Sequence, residues 1–139
     1  MSADILWTPS DDRVARANLT SFAAAAPGSP EDYEALWRWS VDQPEAFWAL
    51  AWDHCGVVAS QRFDSVTAGE GMPGTRWFPG ARLNYAENLL AGGPDRLAVI
   101  SAGEGQPTRR FTNGDLRRDV ARVQAALTAM GVGPGDRVC

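Results

Sequence analysis

The hydrophobic period of this chain changes at one place, and that change restricts its fold more than any other feature. Before the run Trp77-Phe78-Pro79-Gly80-Ala81-Arg82-Leu83-Asn84-Tyr85-Ala86-Glu87-Asn88-Leu89-Leu90, apolar residues recur at helical spacing; the first clear strand signals come after it. Within the run, Pro79-Gly80 supplies a turn, with proline presetting φ and glycine free to take positive φ. Asn84 is placed to cap a helix, and Glu87, three residues on, is the reciprocal partner of a capping box. Leu89 and Leu90 are expected to form the buried side of that helix, and Gly92-Gly93-Pro94 stops it. The expected organisation is a helical segment over 1–76, a linker with its helix over 77–95, and a strand-led segment over 96–139.

Upstream, Thr8, Pro9 and Asp11 predict a first helix over 8–26, with Ala15, Leu19, Phe22 and Ala26 as its buried stripe. Ser29-Pro30-Glu31-Asp32 repeats the start signal for a second helix, which carries Tyr33, Leu36 and Trp37 on one side. A third begins near Asp42-Gln43-Pro44, places Phe47, Trp48, Ala51 and Cys55 inward, and stops at Gly56. Four of the six tryptophans, Trp37, Trp39, Trp48 and Trp52, fall in these helices and are expected to anchor the core. Residues 57–75 read as a meandering loop in which Val57, Val58, Phe63 and Val66 could form short strands.

Downstream, Arg96-Leu97-Ala98-Val99-Ile100-Ser101 reads as a strand, and Thr108-Arg109-Arg110-Phe111 as its returning partner in a hairpin. The most regular helix follows. Thr112 caps it, Asp115 completes a capping box, and Leu116, Val120, Val123, Leu127 and Met130 recur at steps of four, three, four and three. Gly131 suits the left-handed position of a Schellman ending, with Val132 folding back on Leu127. Arg137-Val138-Cys139 reads as the first residues of a further strand, so the chain is expected to be a cut piece of a longer protein.

Composition excludes several function classes. The chain has 139 residues and a formal net charge of −4, and all thirteen basic residues are arginine. An acidic balance argues against a nucleic-acid footprint or an anionic membrane surface as partner. No apolar run approaches the roughly 20 residues of a membrane span. Residues 1–4 lack the character of a secretory signal, and two cysteines, Cys55 and Cys139, indicate no disulfide framework, so a cytoplasmic setting is expected.

Several constellations invite a chemical role and are better read as structure. Gly69-Glu70-Gly71-Met72-Pro73-Gly74 and Gly103-Glu104-Gly105-Gln106-Pro107 carry a glutamate where an anion would sit, and neither ends in Gly-Lys-Ser/Thr. His54 stands beside Asp53 and Cys55, but neighbours on a helix point in different directions. Arg109, Arg110, Arg117, Arg118 and Arg122 could meet phosphates, yet Asp115 and Asp119 offer partners at helical spacing, which favours a solvated face. Arg82 and Asn84 could bridge to a nucleotide, but capping accounts for Asn84. No catalytic, cofactor-binding or metal-binding residue is assigned.

The linker carries a resemblance. Trp77, Phe78, Gly80, Leu83, Asn84 and Asn88 resemble the linker of the acetyl-CoA and acetoacetyl-CoA synthetases, AMP-forming acid–CoA ligases of the adenylate-forming superfamily. Ala81 stands where the acetyl-CoA enzymes usually have a second glycine, and their Cys-Leu-Asp-Arg-His run after Asn88 is missing; Tyr85-Ala86-Glu87-Asn88-Leu89-Leu90 is similar to the acetoacetyl-CoA branch. Leu36-Trp37-Arg38-Trp39-Ser40-Val41 and Pro44-Glu45-Ala46-Phe47-Trp48 resemble the N-terminal extension of that group. Phe111-Thr112-Asn113-Gly114-Asp115-Leu116 and the run from Gly131 to Val138 resemble the opening of the adenylate-forming domain.

The resemblance implies an α-rich N-terminal extension followed by the first β-hairpin and βα unit of an α/β adenylate-forming domain, incomplete at its C-terminal end. It implies a parent ligase that converts acetoacetate, ATP and CoA to acetoacetyl-CoA, AMP and pyrophosphate through an acyl-adenylate, with magnesium. The phosphate loop, the magnesium-binding acid and the C-terminal lysine of that chemistry are missing here, so this chain alone is expected to be inactive and to bind none of these ligands. Its partner would be the remainder of its own ligase domain. The competing readings are a self-sufficient helical interaction module and a ligase for another short acid such as acetate or propionate.

Overall fold

The computed structural model describes residues 6–139, so the signal-free character read at residues 1–4 lies outside them. The chain forms two compact units, Met1–Leu83 and Asn84–Cys139. The N-terminal unit holds α1 (Asp11–Ala15), α2 (Asn18–Ala25), α3 (Tyr33–Asp42), α4 (Pro44–His54), β1 (Thr67–Ala68) and β2 (Arg76–Trp77). The C-terminal unit holds α5 (Tyr85–Leu89), β3 (Leu97–Gly103), β4 (Gln106–Thr112) and α6 (Asn113–Ala129).

The single helix expected over 8–26 is two. Ser10, not Thr8, caps α1, its hydroxyl accepting from the Arg13 amide at 3.4 Å. The chain then breaks at Ala17, whose extended backbone (φ −73°, ψ 140°) is the N-cap of α2. The Val14 carbonyl accepts from both the Ala17 amide at 3.0 Å and Thr20 Oγ1 at 2.6 Å, which ties the end of α1 to the first turn of α2. Of the predicted stripe, only Phe22 and Ala26 are buried; Leu19 is exposed. The second helix also starts later than Ser29. Asp32 is its cap, accepting from the Ala35 amide at 2.8 Å, because Ser29 is held at φ 44° in the turn after α2.

Gln43 ends α3 and begins α4, and Pro44 occupies the first helical position of α4, where its missing N–H costs nothing. Phe22, Ala26 and Leu36 form the buried cluster, with Trp39, Phe47, Leu50 and Ala51 packed on it. Phe47 sits edge-on to both Phe22 (5.4 Å) and Trp39 (5.5 Å), which are favourable quadrupole geometries. The inward side of α4 differs from the sequence reading at two positions. Trp52 is buried, 8% exposed, whereas Trp48 is 44% exposed and Cys55 lies at the surface.

Residues 57–75 are irregular except for β1, which pairs antiparallel with β2 in a two-residue ladder, Thr67 opposite Trp77. No strand forms at Val57 or Val58.

In the C-terminal unit, β3 and β4 make the expected antiparallel hairpin, with Val99 opposite Phe111 and irregularities in register on either side. Thr112 caps α6 with a full capping box: the Asp115 amide donates to Thr112 Oγ1 (3.1 Å), and the Thr112 amide donates to Asp115 Oδ2 (2.9 Å). The helix ends in a Schellman motif, with the Val132 amide on Leu127 O and the Gly131 amide on Thr128 O, while Gly131 takes φ 86°. Asn84 caps α5 through the Ala86 and Glu87 amides at 2.9 and 3.4 Å; the reciprocal bond from Glu87 is not among its cap bonds. Leu89, expected to be buried, is exposed. Residues 137–139 form no ladder with the hairpin.

The burial difference on α4 yields a prediction. Trp52→Ala lowers stability by about 3 to 5 kcal/mol, as truncating a buried aromatic does, and Trp48→Ala costs clearly less, both measured by urea denaturation. The opposite order contradicts the packing described.

Candidate functional site

The linker corner gathers a closed set of side-chain interactions in the N-terminal unit. Trp52 from α4 meets Phe63 (5.1 Å) and Phe78 (4.9 Å), and Phe63 meets Phe78 (5.1 Å), so three aromatic rings close on one another. This grip holds Phe78 at φ 49°, a left-handed conformation that costs a bulky residue on the order of 1–3 kcal/mol. Backbone bonds on both sides fix the corner: the Phe78 amide donates to Val66 O at 2.7 Å and the Asp64 amide to Pro79 O at 2.9 Å. Gly80 takes φ 83°, and a Cβ there would run into the Asp64 carboxylate. The positive φ is what favours glycine at 80, since the carboxylate is the end of a side chain that can turn aside.

Beside the rings, Arg62 grips Asp53 with both guanidinium nitrogens, at 2.7 and 3.0 Å, and lies over the Phe63 face at 4.7 Å. The Arg62 hydrogen bonds hold the Asp53 carboxyl below its usual value, with the opposing charge of Arg62 adding to the effect. A cleft of about 780 Å³ in the same unit is lined by Asp42, Glu45, Glu70, Thr67 and Trp77 among others, with no basic side chain on its wall. The Glu45 carboxylate accepts from the Thr67 hydroxyl there. Such a wall repels phosphate.

In the C-terminal unit, Gly92-Gly93-Pro94 does more than stop α5. Arg117 Nη1 donates to Leu90 O (2.5 Å) and Gly92 O (2.8 Å), and Asn113 Nδ2 donates to Gly93 O (3.2 Å). A Cβ on Gly92 would collide with Asn113 Nδ2. Arg117 is thereby separated in role from the arginine cluster in which the sequence placed it. Its target is the backbone carbonyls that the end of α5 leaves unpaired.

The other sequence candidates fall as follows. His54 Nε2 lies 3.3 Å from Ser21 Oγ and the ring stands edge-on to Phe22 at 5.2 Å, a pairing across 33 residues that adjacency to Asp53 and Cys55 did not suggest. Ser21 Oγ itself donates to Asn18 O, so its proton is already engaged. Residues 69–74 turn between β1 and β2, and 103–107 turn the β3–β4 hairpin; neither opens a helix. Arg82 pairs its backbone with Gln61. Among the described residues no group of three His, Cys, Asp or Glu side chains could hold a metal ion, and no helix is long and apolar enough to cross a membrane. With no lysine in the chain and no Gly-Lys-Ser/Thr loop, these residues do not fit the ATP and magnesium of an acid–CoA ligase.

Residues 33–89, which run from the start of α3 through α5, match the family described as acetyl-coenzyme A synthetase N-terminus. An acetoacetyl-coenzyme A synthetase of Rhizobium meliloti is 39% identical over 137 residues, covering 96% of this chain and 21% of that protein. The solved structure of the acetoacetyl-CoA synthetase from Streptomyces lividans superposes with a TM-score of 0.85 at 40% identity, over 98% of this chain and 22% of that one. Over nearly its whole length the chain is similar to the proteins of that name. It spans about a fifth of the length of the relatives it matches. A malonamoyl-CoA synthetase of Penicillium aethiopicum is 41% identical over 114 residues, 76% of this chain and 16% of that protein. The family match covers the linker corner, so the strained Phe78 and the Asp64–Gly80 contact lie inside the matched segment.

The Asp53–Arg62 pair gives a pH prediction. A carboxyl held below its ordinary value stabilises the fold above that value, and the contribution is lost as pH falls through the lowered one. Arg62→Ala should raise the Asp53 pKa toward the ordinary aspartate value in an NMR titration of its carboxyl carbon, and should remove that part of the acid-side stability loss. Unchanged titration of Asp53 in the variant contradicts the assignment.

Proposed function

We propose that this chain is the N-terminal piece of an AMP-forming ligase that joins acetoacetate to coenzyme A, with ATP converted to AMP and pyrophosphate through an acyl-adenylate. The observation that carries the reading is a match in sequence and in fold over nearly the whole chain to proteins named acetoacetyl-CoA synthetase. On this reading residues 1–76 are a helical extension, 77–95 the linker, and 96–139 the first hairpin and βα unit of an α/β AMP-binding domain, working in the cytoplasm.

The chemistry belongs to the rest of that domain. Phosphoryl and adenylyl transfer need positive charge placed on the phosphates, and this chain offers neither lysine nor a phosphate loop. Its own contribution is structural: the aromatic corner fixes the backbone turn at Phe78, and the apolar side of α6 is covered by the remainder of the ligase. That remainder is its principal partner, and the small-molecule substrates bind there.

The substrate class has chemical support from two names. Acetoacetate and malonamate both carry a second carbonyl two carbons from the carboxylate, with a methyl in one where the other has an amide nitrogen. A short acid with a carbonyl at C3 is therefore favoured over acetate or propionate.

The test is AMP release from ATP in the presence of CoA and magnesium. The full-length protein should release AMP with acetoacetate at least tenfold faster than with acetate, and the 139-residue chain should release none. Acetoacetate-dependent AMP from the short chain would overturn its inertness; equal rates with acetate would overturn the substrate assignment.

A further inference from the structure

The arginines near the start of α6 are not a uniform solvated face. With Arg117 committed to backbone carbonyls, Arg109, Arg110, Arg118 and Arg122 remain, and they line a groove of about 460 Å³ with Phe111, Asp115 and Asp119. Four guanidinium groups meet two carboxylates. Arg118 pairs with Asp115, and Arg122 with Asp119 at 3.2 Å. Arg109 lies over the Phe111 ring at 5.0 Å, and among the described residues neither Arg109 nor Arg110 is in an ion pair.

One wall of the groove is ordered in advance. Asp115 is locked by the Thr112 capping box, so Arg118, which it holds, stands at the end of a fixed chain of hydrogen bonds and loses less rotamer freedom when a ligand arrives. Arg109 and Arg110 belong to β4, whose backbone register is set by pairing with Ser101 and Ile100.

We propose that this groove binds a multiply charged phosphate group, gripped first by Arg109 and Arg110. Guanidinium forks match phosphate oxygens two at a time. The surplus of two positive charges favours a pyrophosphate or a terminal phosphate over a single carboxylate, which would leave the surplus unanswered. Asp115 and Asp119 oppose an anion, which directs it to the two arginines that lack a carboxylate partner. The charge belongs to this unit alone and does not rest on the ligase reading.

The probe is inorganic pyrophosphate, titrated into the 139-residue chain at about 0.15 M salt and followed by amide NMR. Saturable shifts confined to residues 108–122 are expected, with affinity about tenfold weaker in Arg109→Ala/Arg110→Ala. Arg110→Gln alone should weaken binding in the same direction and serves if the double variant unfolds. A second titration with ADP separates the sources: tighter binding than pyrophosphate assigns the groove to nucleotides, equal or weaker binding to the free anion. Shifts absent from 108–122, affinity unchanged in the variants, or tighter binding of a tetraglutamate peptide than of pyrophosphate each overturn the proposal.

Discussion

Leu116, Val120, Val123, Leu127 and Met130 recur along one side of α6, and the hairpin beside it carries Leu97, Val99 and Ile100; yet among the described residues of the C-terminal unit only Asn113 is buried. Val123 is 59% exposed and Met130 71%. A unit of this size gains stability from apolar surface removed from water, at roughly 25 cal/mol per Å², and here that term is only partly claimed. What holds the unit together is directional: a capping box, a Schellman ending, the hairpin ladder, and the Arg117 and Asn113 bonds to the backbone of 90–93. Such bonds fix geometry but contribute only about 0.5–1.5 kcal/mol each in net terms. That imbalance fits a unit whose apolar side is covered by further structure, as the proposed reading expects.

The N-terminal unit is built on the opposite principle. Its helices are short and their caps modest, but aromatic rings run from Phe22 through Phe47 to Trp48 and Trp77, and from Trp52 to Phe63 and Phe78. The second set reaches the linker and stabilises a backbone conformation at Phe78 that isolated chains avoid. Helix α4, the loop carrying Phe63 and the corner at Phe78 are therefore packed as one feature within this unit.

Local signals were legible where the physics is local. The Thr112 capping box, the Gly131 ending, Pro44 at the start of α4 and the Asn84 cap all depend on residues within five positions of one another, and each forms. The failures share a cause. Ser10 rather than Thr8 caps α1, and the helix breaks at Ala17, where no breaker residue announces it. Trp48 and Trp52 are four residues apart on one helix, and which is buried is decided by Phe63 and Phe78, which come from a stretch with no periodicity. Arg117 looked like one of five equivalent arginines because its carbonyl partners lie 25 and 27 residues away. The motif around Trp77 and Phe78 was the exception, since it pointed to the relatives that the chain matches without revealing the strain at Phe78.

Native-state hydrogen exchange on the isolated 139-residue chain tests the central claim most directly, because it reads the stability of each helix separately. If α6 depends on a cover that this chain does not supply, the amides of 117–127 exchange far faster than those of 47–52 in α4, despite the better caps of α6. Equal or stronger protection of α6 in a monomeric sample would mean that the C-terminal unit is stable by itself, and would contradict the account.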